Sequence, residues 1–156
     1  MFMDEIKSVA ASGGALEQQS QPISISIIYE DAKSRHEAEK LCRRLARNLK
    51  EEFDFILHCW HFDALHDSQA SKAARLATAE ADLVIVSTQA GRDLPRKVKT
   101  WIGGCLRKRK TQDAALVGLV RMARDLKKGA LPVLGFLSSL AHAVKMDYLP
   151  EIVWSF

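Results

Sequence analysis

Two carboxylates, Glu30 and Asp31, stand side by side directly after a run of mostly β-branched residues, Ile23–Tyr29. Adjacent carboxylates at the end of a buried strand can hold Mg²⁺ or serve as an acid and a base. Their structural alternative is plainer: Asp31 caps the following helix and Glu30 is solvated. A second group, Ser87-Thr88-Gln89-Ala90-Gly91, closes another aliphatic run, Asp82–Ser87. Its hydroxyls, its backbone N–H groups and the start of the next helix are what an anion site is built from. The alternative there is a capped loop. There is no GxGxxG and no Walker lysine pattern, which argues against a dinucleotide or a P-loop triphosphate. The candidate ligand-binding residues are therefore Glu30, Asp31, Ser87, Thr88, Gln89 and Gly91, facing a small anionic ligand. Catalytic residues and cofactor are left open.

His58, Cys59, His61, His66 and Asp67 have the composition of a metal site. Their spacing opposes it. On a strand His58 and His61 point to opposite faces, and Cys59, His61 and Asp63 share one, so no metal site is assigned. Cys59 beside His61 has the types of a nucleophile and base, but nothing in the sequence orients the histidine. His36 is read as a surface residue and His142 as a helix-packing one.

A basic stretch comprises Arg92, Arg96, Lys97, Lys99, Arg107, Lys108, Arg109 and Lys110, with Asp93 the one acid among them. Cations at a helix C-terminus complement its dipole. The exposed face of this helix, about residues 95–110, is the candidate contact surface for a protein partner. Nucleic acid is the less supported partner, because Trp101 belongs to the apolar face and no exposed aromatics interleave the charges.

These side chains need a frame. Ile23–Tyr29 reads as a buried strand. Ser34-Arg35-His36-Glu37 resembles a capping box, with Asp31 the alternative cap one turn earlier. Ala38, Leu41, Cys42, Leu45 and Leu49 then make one helical face. Phe53–Phe62 is the second strand. Asp67 or Ser68 caps a helix to about Ala79, with Ala70, Ala73, Ala74, Leu76 and Ala77 as its packing face. Asp82–Ser87 is the third strand, and Thr88–Leu94 a loop. A helix from Pro95 carries Val98, Trp101, Ile102, Cys105 and Leu106 at helical spacing, with a kink expected at Gly103-Gly104. Ala114–Val120 is the fourth strand and 121–129 a polar loop. A fourth helix covers Pro132–Lys145, with Leu137, Leu140, Ala141 and Val144 inward. Glu151–Phe156 is a short fifth strand or a packed tail.

Alternating strands and helices predict an α/β domain: a three-layer, flavodoxin-like arrangement with a mostly parallel sheet in the order 2-1-3-4-5. In such a sheet a ligand sits at the carboxyl ends of the strands where the order reverses, between the first and third. The same edge carries His61 and Asp63 after the second strand and Arg121 after the fourth.

The chain has 156 residues, enough for one domain over 22–156 with a Ser-, Gly- and Gln-rich tail over 1–21 expected to be flexible. No apolar run is long enough for a membrane span, and the N-terminus lacks the apolar segment of a signal peptide. Three widely spaced cysteines, Cys42, Cys59 and Cys105, form no disulfide framework and point to a cytoplasmic protein. The net charge of +4 permits an anionic partner without requiring one.

Ile27-Ile28-Tyr29-Glu30-Asp31 and Leu83-Val84-Ile85-Val86-Ser87 resemble the first and third strands of response-regulator receiver domains. The resemblance implies acidic metal ligands after strand one and a phosphoacceptor aspartate at the end of strand three. That position holds Ser87, and no lysine ends a fifth strand, so the implied protein is a degenerate receiver. TIR-like domains share the element order, but residues 94–110 lack the glutamate that resemblance would require. The pattern Trp60-x-Phe62-x-x-Leu65, Ala81-Asp82, Ser87, Leu94-Pro95 and Trp101 is similar to a family of small bacterial α/β proteins that brings no activity with it. Two functions follow as expectations: a non-catalytic, receiver-like signalling or protein-interaction module, or a small enzyme or binding protein for a nucleotide or other phosphorylated ligand.

Overall fold

The structure, a computed structural model, describes residues 22–48, 54–91, 93–109, 113–123 and 130–155. The expectations for residues 1–21, Leu49, Phe53, Arg92, Lys110 and Phe156 fall outside that set. The elements are β1 (Ile23–Tyr29), α1 (Ala32–Asn48), β2 (Phe55–His61), a 3-10 turn (Phe62–His66), α2 (Ser68–Glu80), β3 (Leu83–Gln89), α3 (Arg96–Arg107), β4 (Ala115–Ala123), α4 (Leu131–Val144) and β5 (Asp147–Ser155). The five strands form one parallel sheet, as the alternation of elements predicts, in the expected order β2-β1-β3-β4-β5.

Strand parity divides the core in two. Ile25, Ile27, Phe55, Leu57, Ile85, Val117 and Leu119 pack with Ala38 and Cys42 of α1 on one face. Ile28, Val84, Val86, Leu116 and Val120 point the other way, into a larger core shared with α2, α3 and α4. One helix therefore covers one face and three cover the other. Gly118 of β4 is needed for this packing, because a Cβ there would lie 2.8 Å from Tyr148 Oη and 3.0 Å from Leu137 of α4.

Several boundaries differ from the sequence reading. α1 begins at the earlier cap: Asp31 Oδ1 accepts from the Ser34 N–H at 2.8 Å, and Ser34 is a buried residue inside the helix. β3 runs on through Gln89, so Thr88 and Gln89 are strand residues paired with Val120 and Arg121. β4 likewise continues to Ala123, and β5 begins at Asp147. α3 passes through Gly103-Gly104 without interruption. His142 is exposed rather than packed.

The packing face of α2 is the main correction. Its buried residues are Ser71, Ala74 and Thr78, whereas Ala73 is exposed and Leu76 is 61% exposed. The two hydroxyls are buried because each has a partner: Thr78 meets Ser26 of β1 at 2.8 Å, and Ser71 accepts from the Trp101 indole of α3 at 2.9 Å. Buried polar groups are tolerated on that condition. Among the described residues no helix is long and apolar enough to cross a membrane.

Candidate functional site

The carboxyl ends of β1, β3 and β4 bring together most of the expected residues. Glu30 donates its backbone N–H to the Ser87 carbonyl at 3.1 Å, continuing the β1–β3 pairing by one residue. Its Oε1 accepts from the Thr88 hydroxyl and from the Gln89 N–H, the latter at 2.8 Å. Asp31 uses Oδ1 to cap α1 and turns Oδ2 toward Arg121, 3.5 Å from Nη2. The same Nη2 donates to Gln89 Oε1 at 3.2 Å. The two carboxylates thus engage different partners, joined through Gln89 and Arg121. Shared ligation of one ion by both has no support in this arrangement, and no group of three or more His, Cys, Asp or Glu among the described residues is placed to hold a metal.

Arg121 is the residue that charge and position make most telling. It is 8% exposed, yet it stands at the crevice end of the sheet, and its Nε has no hydrogen-bond partner. Burying a guanidinium is costly unless it is paired. Asp31 supplies the nearby charge. Partial burial works to raise the Asp31 pKa, but the Ser34 hydrogen bonds, then Arg121 and Lys33, outweigh it and hold the carboxyl below its ordinary value.

Ser87 does not present its hydroxyl to the crevice. It is 1% exposed and donates to the Ser34 carbonyl at 2.7 Å, tying β3 to the first turn of α1. The backbone donors expected to cradle an anion are also engaged. Gln89 N–H goes to Glu30, and Ala90 N–H goes to the Arg121 carbonyl at 2.9 Å. Gly91 follows in the turn with φ of 124°, a conformation that glycine adopts readily and other residues do not.

The β2 residues separate as strand parity requires. His58 stacks on Trp60 with ring centroids 6.5 Å apart, on the α2 side. His61 meets the Tyr29 ring edge-on at 5.3 Å on the α1 side and accepts the Asp63 N–H at Nδ1, 2.9 Å away. Burial pushes the Cys59 thiol up, with nearby Arg35 opposing and Glu39 adding to the rise. Thiolate character is what makes a cysteine nucleophilic, and burial works against it at Cys59. Cys42 is pushed up to about 12 and Cys105 to about 11, in both cases chiefly by burial. All three cysteines are free thiols.

The basic stretch is less uniform than its composition. Arg109 folds inward and donates to the Thr78 carbonyl at 3.0 Å, closing the last turn of α2. Lys99 pairs with Asp93 and lies 5.3 Å over the Phe136 ring. Arg96, Lys97, Arg107 and Lys108 are exposed. Arg96, Lys97 and Lys108 line a groove of about 370 Å³ between α2 and α3, with Arg75 contributed by α2. Sequence reasoning did not find Arg75, because its partners lie about one crossover away in the chain.

No protein-family model and no curated protein sequence matches the chain. Solved structures do. A flavodoxin from Streptococcus pneumoniae TIGR4 aligns over 83% of this chain and 81% of its own, with a TM-score of 0.53 at 15% identity. The Trp repressor binding protein from Bacillus subtilis aligns over 84% of this chain and 82% of its own, with a TM-score of 0.52 at 10% identity. The fold is flavodoxin-like. At such identities the likeness is one of architecture, and function has to be argued from the sites.

Proposed function

We propose that the chain is a cytoplasmic, receiver-like regulatory or protein-interaction module that acts by contact rather than by catalysis, with the basic face of α3 as its contact surface. One observation carries the reading. α3 buries Val98, Trp101, Ile102, Cys105 and Leu106 in its own core while Arg96, Lys97, Arg107 and Lys108 stay exposed, with no carboxylate paired to them among the described residues. Exposed charge of one sign steers association with an oppositely charged partner. The Ser87 hydroxyl, in the place of a receiver's phosphoacceptor, is occupied in holding α1, which suits a degenerate receiver.

The test is affinity capture from native lysate with the full chain and with Arg96→Glu/Lys97→Glu. Partners held by this surface are expected to be lost from the double variant while its melting temperature is kept. An unchanged set of partners would remove α3 from the proposal.

A second reading has support of its own. The buried Arg121, with its unpartnered Nε at the crevice end of the sheet, is a cation suited to an anionic ligand at the ends of β1 and β3. A nucleotide or another phosphorylated compound, with or without Mg²⁺, is the candidate. Thermal-shift screening decides it. Ligand at about 100-fold its Kd stabilises by roughly 2.7 kcal/mol, and Arg121→Met should abolish the shift. Absence of any shift at millimolar nucleotide would leave the interaction reading alone.

A further inference from the structure

The groove between α2 and α3 has a composition that its two helices explain. Arg96, Thr100, Gly104 and Lys108 follow one another at intervals of four, so they form a single row along α3 and its C-cap. Gly104 interrupts that row, and a Cβ placed there would meet nothing within 4 Å. The depression therefore lies between two cations of α3, with Lys97 beside it and Arg75 facing it from α2. Trp101 lines the base at 8% exposure, its indole N–H already donated to Ser71.

Four cations surround one concavity of about 370 Å³, and no carboxylate among the described residues pairs with them. Arg96 and Lys108 stand about 18 Å apart along α3, so the four cations spread one sign of charge over the length of the groove. A single carboxylate neutralises one of them. A phosphomonoester brings about two negative charges and three acceptor oxygens, which suit guanidinium and ammonium donors on the walls of the groove. The volume also exceeds what one phosphoryl group fills, leaving room for the atoms that carry it. The groove is a surface feature with exposed walls, whereas sites for free small ligands enclose most of the ligand. An exposed phosphoryl group is better sealed when a larger molecule brings it. Nucleic acid would call for exposed rings to stack bases, and the Trp101 ring is covered.

We propose that this groove recognises a phosphorylated side chain presented by a partner protein, through Arg75, Arg96, Lys97 and Lys108 around the gap at Gly104. The inference rests on the reading of α3 as a contact surface and adds the chemistry that the surface selects. Thr100, at the wall, supplies a hydroxyl donor to the same group.

The experiment uses a degenerate phosphoserine peptide pool, the same pool dephosphorylated, inorganic pyrophosphate, AMP and a short single-stranded RNA. Each is titrated into the isotopically labelled full chain and followed by amide chemical shifts and fluorescence anisotropy. The phosphorylated pool is expected to shift the amides of Thr100, Gly104 and Lys108 and to bind at least about tenfold more tightly than the dephosphorylated pool. Gly104→Glu places a carboxylate in the gap and Arg75→Glu reverses the facing charge; each should weaken binding by about tenfold or more. Gly104→Ala adds a methyl that meets nothing and should retain binding, which separates a blocked groove from an altered helix. Thermal melts of all three verify folding. Phosphate-independent binding, unimpaired binding by Gly104→Glu, or tighter binding of pyrophosphate, AMP or RNA would each overturn the proposal. Loss of lysate partners in Arg96→Glu/Lys97→Glu without phosphate dependence would sink this inference and leave the contact-surface reading standing.

Discussion

Asp31 shows how one side chain can hold a fold and shape a site at once. One carboxylate oxygen caps α1 and the other faces Arg121. Both roles favour the charged form, and together with Lys33 they more than offset the opposing effect of burial on its pKa. Because the folded-state pKa lies below that of the unfolded chain, the ionised group stabilises the fold above the ordinary carboxylate range. That contribution fades as pH falls through the folded value. Asp31→Ala is expected to cost about 1 kcal/mol near neutral pH through the lost cap. The difference from wild type should shrink as pH falls from the ordinary carboxylate value of 3.8 through the lowered folded one, measured by urea unfolding at each pH. A gap that stayed constant across that range would mean that the charge is immaterial. The types and positions of Glu30, Asp31, Thr88, Gln89 and Arg121 were legible in the sequence because each ends or follows a clear strand. Ser87 was legible as a position and misleading in role. Its hydroxyl is directed by strand parity to the α1 face, where Ser34 takes it, and parity at a strand end depends on where that strand stops.

At the scale of the element, α2 marks the limit of reading apolar periodicity. Its alanines predict a face that includes Ala70, Ala73, Ala74 and Ala77; Ala74 is buried, and Ser71 and Thr78 take the other buried places. Apolar residues lie on both sides of this helix, Ala74 inside and Ala73 and Leu76 outside, so hydrophobicity hardly distinguishes its faces. Hydroxyl partners on β1 and α3, which are distant in sequence, decide between them. The Ser26–Thr78 contact joins α2 to the sheet at 2.8 Å inside the core. Removing one hydroxyl leaves the other buried without that partner, at a cost of about 1–3 kcal/mol. Ser26→Ala and Thr78→Val should each destabilise by that amount in urea melts. The double variant should cost less than their sum, since it removes both polar groups. Strict additivity would show that the contact contributes nothing and that packing alone sets the rotation of α2. By contrast, the packing face of α3 was legible: its stripe Val98, Trp101, Ile102, Cys105 and Leu106 is apolar in an otherwise basic helix, and all five are buried.

For the whole molecule, a parallel sheet follows from alternation and right-handed crossovers, and its order is the flavodoxin-like one expected. Of the described helices, α1 covers one face and α2, α3 and α4 the other. With one helix on the α1 face, β5 is an edge strand carrying Leu149 at 54%, Ile152 at 42% and Trp154 at 52% exposure. Exposed apolar edges invite pairing with another chain. β5 answers with Pro150. The Asp147 N–H bonds to the Ala114 carbonyl, toward β4. Alternate residues of a strand direct their backbone groups to opposite sides, so residue 150 faces the free edge together with 148, 152 and 154. Proline there sacrifices no ladder bond and deletes a donor from the row that an incoming strand would use. Pro150→Val is therefore expected to leave unfolding stability close to that of wild type while raising concentration-dependent self-association, measured by sedimentation velocity over a dilution series. Pro150→Lys restores the donor but adds charge to the edge, and should associate less than the valine variant. If both variants sediment like wild type at every concentration, the flanking apolar side chains, not the missing donor, govern this edge. The proline would then be a matter of local backbone preference within β5.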